Sequence, residues 1–270
     1  MKKFCIIITA FLLLGQSLSA QLQIRTHKEK ISDFMEKVTM VVLTGNDSLD
    51  VPIREAVKNF WTISAYELCS TEEFEALKAN EDYYFLAVGS DNNGLRSWYL
   101  VKGGGKKPLE SMLNVATVAI CPADGFTGRE ESLLPALACL LQNLVGKAIG
   151  RPYTGSGLTI SSPKKALGIP LYLCPEEFSA ALSDTEAGPL KEKEIYLVDR
   201  ASADCTFMEA DKAAVCFVVA PISPKKKQVS YVYLVDASTF ELYYFKKHKI
   251  SDATDCGLLP EDLKAFMKGR

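Results

Sequence analysis

Val38-Thr39-Met40-Val41-Val42-Leu43 reads as a short apolar strand, Gly45-Asn46-Asp47-Ser48 supplies turn chemistry, and Ile53, Ala56, Val57 and Phe60 then recur at helical spacing. A strand, a turn and an amphipathic helix in that order open an α/β unit, and the residues downstream continue it. Trp61 to Leu68 alternates as a strand. Ser70-Thr71-Glu72-Glu73 is a capping box, and Phe74 and Leu77 give the helix behind it an apolar stripe. Tyr83 to Val88, Trp98 to Val101 and Val115 to Ile120 are three further strands, and Leu133, Leu137, Leu140, Leu141, Leu144 and Val145 mark a long buried helix.

The same order recurs further along. Leu171-Tyr172-Leu173 is a strand, Pro175-Glu176-Glu177 opens a helix carrying Phe178 and Leu182, and Ile195-Tyr196-Leu197-Val198 is a strand. A short, poorly periodic segment follows near Cys205 to Ala210. Val215 to Ala220, Tyr231 to Val235 and Glu241 to Phe245 are strands, and Pro260-Glu261-Asp262 starts a last helix bearing Leu263, Phe266 and Met267. Both halves therefore read βαβαβββα, with equivalent elements roughly 130 residues apart. The expected fold class is α/β with mixed α+β sheets: two related domains from an internal duplication, over 21–149 and 169–270. The stretch 150–168, rich in Gly, Pro, Ser and Lys and without apolar periodicity, is the linker. In each half, helical crossovers would join parallel strands and hairpins would add antiparallel ones. Leu133 to Ile149 is apolar enough to suggest a membrane span, but Pro135, Gln142, Asn143 and Lys147 interrupt it, so a buried core helix is expected.

The first 20 residues read as a signal peptide: Met1-Lys2-Lys3, an apolar run from Phe4 to Leu14, then the small and polar Gln16-Ser17-Leu18-Ser19-Ala20. Cleavage is expected after Ala20, with Ser19 as the alternative. Cys5 stands at the start of the apolar core rather than after it, so no lipid anchor is expected and the location is periplasmic or secreted. Without Lys2 and Lys3, the 31 basic residues become 29 against 33 acidic, a formal charge of −4. That balance argues against nucleic acid as a partner, and 48% hydrophobic residues exclude a disordered chain. Seven cysteines remain in the mature chain, an odd number with no C-x-x-C, so most are expected to be reduced and buried, with room for one disulfide.

Catalytic signatures are sparse. The two histidines are His27, beside the new N-terminus, and His248, in the basic tract Lys246-Lys247-His248-Lys249, which reads as a solvated loop at a strand end. Gly103-Gly104-Gly105-Lys106-Lys107 misses the phosphate-loop spacing, and Gly155-Ser156-Gly157 is not a nucleophile elbow. Asp199, Asp204, Asp236 and Asp252 sit near strand or loop ends, where they can bind a cation or act as acid and base, but where aspartate is also an ordinary turn residue. No catalytic residue, metal ligand or cofactor is assigned. Aromatic strands carry more information: Tyr231 and Tyr233 share one strand face, and Tyr243 and Phe245 share a face of the next, with Tyr244 opposite. Tyr231, Tyr233, Tyr243 and His248 are the candidate binding residues, against the competing expectation that these tyrosines pack under helices.

Trp61 to Cys69 with Glu73-Phe74 and Tyr83-Tyr84-Phe85-Leu86, together with Glu241 to Ile250 ahead of a Pro-Glu-Asp helix, resembles a group of uncharacterised secreted proteins from Gram-negative gut bacteria. That resemblance implies an exported protein and no particular activity. The βαβα opening also resembles, in fold order alone, the N-terminal domains of envelope proteins of the TolB type, which serve in protein contacts. The expected function is that of an exported, non-enzymatic binding protein acting on another envelope protein or cell-surface component, without itself being an integral membrane protein. A carboxylate-dependent hydrolase or lyase with a site between the two halves is the alternative. A cleft lined by close acidic side chains would favour the enzyme, and a broad exposed apolar patch would favour binding.

Overall fold

The computed structural model describes residues 31–90, 93–105, 107–150, 162–209, 211–268 and 270. The expected signal peptide, His27, Lys106 and Gly155-Ser156-Gly157 lie outside them. The first half runs β1 (Val38–Val42), α1 (Asp47–Phe60), β2 (Tyr66–Cys69), α2 (Thr71–Leu77), β3 (Tyr83–Ser90), β4 (Leu95–Lys102), β5 (Leu113–Pro122) and α3 (Glu130–Gly150). The second runs β6 (Leu171–Leu173), α4 (Ala187–Lys191), β7 (Ile195–Leu197), α5 (Arg200–Met208), β8 (Ala214–Val219), β9 (Val229–Asp236), β10 (Leu242–Lys249) and α6 (Pro260–Met267). The sheets are ordered β2-β1-β3-β4-β5 and β7-β6-β8-β9-β10. In each, the first strand pairs in parallel with its two neighbours and the remaining pairs are antiparallel. The two halves are thus the same α/β unit twice over.

Their faces are used differently. Val41, Leu86, Trp98 and Leu100 point from the first sheet into a core with α1 and α3, and Val215, Phe217 and Tyr233 point from the second sheet into that same core with Ala203 and Phe207 of α5. The back of the first sheet, Met40, Val42, Phe85 and Val101, is covered by Phe74 of α2. The back of the second is covered by Leu190 of α4 and by Leu263 and Phe266 of α6. The α1/α3 face of one unit therefore meets the α5 face of the other, where α5 is the counterpart of α2.

α3 is the shared element, which explains its nearly continuous apolar sequence: Leu134, Leu137, Ala138, Leu141 and Val145 are all fully buried. Gln142 has a specific task there. Its Nε2 donates to the Phe60 carbonyl at 2.6 Å and its Oε1 accepts from the Thr62 amide at 3.0 Å, satisfying backbone groups at the C-terminal end of α1. Among the described residues no helix is long and apolar enough to cross a membrane.

Several elements differ from expectation. Trp61 to Ala65 is a loop, because the Trp61 amide closes α1 on Val57 and its buried indole donates to Ser64 Oγ at 3.0 Å; only Tyr66–Cys69 is strand. The segment from Pro175 makes short 3-10 turns instead of a helix. Its backbone is used elsewhere: Leu258 donates to the Glu177 carbonyl and accepts from the Ser179 amide. Arg200–Met208, despite its weak periodicity, is a helix capped by Asp199, which accepts from the Ser202 amide at 2.7 Å. The basic tract belongs to β10, and a register shift between Leu242 and Tyr244 places Tyr243 and Tyr244 in the same core cluster, with Phe245 in the other.

The packing of α3 sets a stability expectation. Leu141→Ala should cost about 2–5 kcal/mol in urea melts followed by circular dichroism, and a loss under about 1 kcal/mol would show that this helix is peripheral.

Candidate functional site

Of the aromatic residues read as a binding surface, Tyr233 and Tyr243 lie inside and Tyr231 is half-buried. Tyr233 is fully buried, stacks on Phe217 at 4.9 Å, and its hydroxyl donates to the Ala119 carbonyl of β5 at 3.3 Å. Tyr243 is buried and donates to Asp236 Oδ2 at 2.7 Å. Tyr231 is half-buried and stacked on Phe245 at 5.4 Å, with Lys247 over its ring. His248 is 6% exposed rather than solvated, and its Nε2 is 2.8 Å from Asp262 Oδ2. β10 carries it inward, and α6 brings the carboxylate to it. The four candidates form no common exposed platform.

Asp262 is fully buried, accepting also from Tyr244 Oη at 2.6 Å and the Leu259 amide at 3.0 Å. Burial alone would raise its carboxyl, but the His248, Tyr244 and Leu259 bonds outweigh burial and hold it below the usual range. Ser230, directly across the sheet from His248, is also fully buried. These three residue types suit hydrolysis, yet no solvent reaches the serine or the aspartate. His248, Asp262 and Glu261 place donor atoms within 4.8 Å of one another, but Glu261 Oε1 already holds Lys246 at 2.6 Å. The cluster fastens α6 to β10.

Three of the four singled-out aspartates are turn or cap residues. Asp199 caps α5, Asp252 accepts from the Thr254 amide, and Asp236 ties the β9–β10 turn through Ser238 and Thr239. Asp204 differs. Its carboxylate grips Arg129, with Nε to Oδ1 at 3.0 Å and Nη2 to Oδ1 at 2.6 Å, while Arg129 Nη1 donates to Glu177 Oε1. Arg129 precedes α3, Asp204 lies on α5 and Glu177 follows β6, so the triad joins the two halves.

This triad borders a cleft of about 480 Å³ where the halves meet. Its walls are mixed: Ile120, Phe126, Leu133, Val219 and Ile222 supply apolar surface, and Arg129, Glu176, Glu177 and Arg200 supply polar surface of nearly equal extent. The cleft lies where β6 pairs with β8 only at Ala214 and Val215, so that the far half of β8, paired with β9 on one side, has no neighbouring strand on the other. Glu177 substitutes for that strand: its Oε2 accepts from the Val218 amide at 3.1 Å. Gly257 fixes Glu177 from behind. Its φ is +121°, and a Cβ there would stand 2.5 Å from the Glu177 carbonyl oxygen.

The electrostatics follow from burial. Glu177 is cut off from water, and the attraction of Arg129 and Arg200 does not fully offset this, so its carboxyl is pushed up to about 7. Burial also pushes the Cys121 thiol to about 11 and Cys174, with Glu177 close by, to about 12, so both keep their protons at neutral pH. No disulfide joins the described cysteines.

Of this site, sequence reasoning singled out Asp204 and noted Glu176 and Glu177 only as a helix start. Arg129 and Arg200 carried no signal, because lone arginines beside helices are ordinary surface residues until the fold buries them. Comparison of the chain with protein-family models, curated proteins and solved structures finds no match.

Two outcomes are expected. Arg129→Met leaves two carboxylates without their cation and should cost about 3–5 kcal/mol in urea melts. Glu177 binds its proton more tightly folded than unfolded, where its ordinary value is 4.5. Its stabilisation is therefore whole below that value and fades as pH rises through about 7. Glu177→Gln should flatten the fall in Tm across this window, and an unchanged slope would show that the group does not titrate there.

Proposed function

We propose that this chain is an exported binding protein that takes a component of the cell envelope into the cleft between its two halves without chemically altering it. The observation that carries this reading is the cleft itself, with a volume of about 480 Å³, a set of apolar side chains and several convergent charged groups. Ligand sites commonly have this size and composition. Support for binding over turnover comes from the engagement of its reactive groups. Both Glu177 oxygens accept hydrogen bonds, from Arg129 and the Val218 amide, and the lining Cys121 thiol holds its proton. The order of charged, apolar and small residues in the first 20 positions supports placement outside the cytoplasm.

One observation favours the alternative, a carboxylate-dependent hydrolase or lyase. Glu177 lines the cleft with a carboxyl near 7, where an acid-base group works well. Native mass spectrometry of the protein released from its own envelope separates the two. A bound species of constant mass is expected, lost in Ala220→Trp, which fills the cleft, and retained in Glu177→Gln. Turnover of a small ester or glycoside that disappears in Glu177→Gln would transfer the assignment to the enzyme.

A further inference from the structure

We propose that the cleft receives an amphipathic organic acid, its carboxylate held by Arg200 and its apolar body laid against Ile120, Phe126, Val219 and Ile222. This rests on the cleft being the binding site and adds the class of ligand. Arg200 opens α5, and its guanidinium lines the cleft. Nη2 donates to the Glu176 carbonyl at 3.3 Å, and Glu177 Oε1 stands 4.0 Å from Nε. Nε is buried and has no hydrogen-bond partner among the described residues. Nε itself is shut off from the cleft, but the Arg200 side chain is 42% exposed, so the open edge of its guanidinium can meet an acceptor supplied from outside the chain.

The other cleft cation cannot take that role. Arg129 commits Nε, Nη1 and Nη2 to Asp204 and Glu177. Glu177 in turn cannot swing to Arg200 without releasing Arg129 and the Val218 amide. Arg200 has only the longer contact with the Glu177 carboxylate at 4.0 Å, and its guanidinium presents a planar fork suited to a carboxylate. The rest of the ligand follows from the mouth of the cleft. Ile222 is 53% exposed there, and its loop is pinned by Asp124, which accepts from the Ile222 and Ser223 amides at 3.1 and 2.9 Å. A large apolar side chain fixed at an opening, with apolar walls behind it, fits a hydrocarbon body and gives an inorganic oxyanion little to hold.

Calorimetric titration of the full chain with decanoate, decanol, decyltrimethylammonium and inorganic phosphate tests this. Decanoate should bind one site at least tenfold more tightly than decanol, and Arg200→Gln should remove that advantage while leaving decanol binding unchanged. Should Arg200→Gln fold poorly, Arg200→Lys keeps the charge without the fork and should lose part of the preference. Decanol or decyltrimethylammonium binding as tightly as decanoate would overturn recognition of the acid and leave the cleft reading standing. Phosphate matching decanoate would overturn the apolar body. Absence of binding by all chain probes would overturn the proposal outright, while the native-envelope measurement judges the cleft separately.

Discussion

Arg129 stands just before α3 with its guanidinium almost wholly out of water, and a charge so placed is tolerated only when carboxylates meet it. Both carboxylates come from the second half, Asp204 from α5 and Glu177 from the turn after β6. The register between the halves is thereby specified: a sliding or rotation of one against the other would leave three charges buried and unmatched. Apolar contact alone, being non-directional, would not discriminate so sharply among neighbouring arrangements. The cleft inherits its shape from the same bonds, since Glu177 both completes the triad and closes off the side of β8 that β6 leaves open.

Around that fixed point the core is continuous. α3 lies against the first sheet and α1 on one side and α5 on the other, so one apolar body serves both units. Each half lacks a complete interior of its own on that side. Separating them would bare α3, Phe217 and Tyr233 together, and would also break the hydrogen bond from Tyr233 to the Ala119 carbonyl. Unfolding of either half therefore removes part of the other.

The periodic features of the fold were readable because they depend on local spacing. The βαβαβββα order, the Ser70–Glu73 capping box and the stripe on α3 all follow from residues near one another in sequence, and the repeated strand order follows from them. What escaped was set at a distance. Trp61 leaves its strand pattern to close α1, Glu177 and Ser179 give up a helix to bond with Leu258, and a bulge turns Tyr243 away from Phe245. The site was less legible still. Asp204 looked like three other aspartates that proved to be turn or cap residues, and only the assembled fold distinguishes it, by burying Arg129 alongside. His248 misled in the opposite direction, since a run of lysines suggests solvent although alternate residues of a strand point to opposite sides.

The joining of unlike faces gives this molecule a polarity that a fused symmetric dimer would lack. A two-fold pairing would place α1 and α3 against their own counterparts and close on itself. Here the operation relating the units carries one face onto a different one, and such an operation can in principle be repeated without end. The terminal surfaces are what halt it. At one end α2 presents Thr71, Glu72, Glu73 and Glu75 to solvent, and at the other α6 presents Glu261 and Lys264, so neither offers the apolar surface a third unit would need. The two copies of the unit are consequently under different demands: one must keep an apolar inner helix, its equivalent must keep a charged outer one, and their sequences have every physical reason to diverge while their topology stays the same.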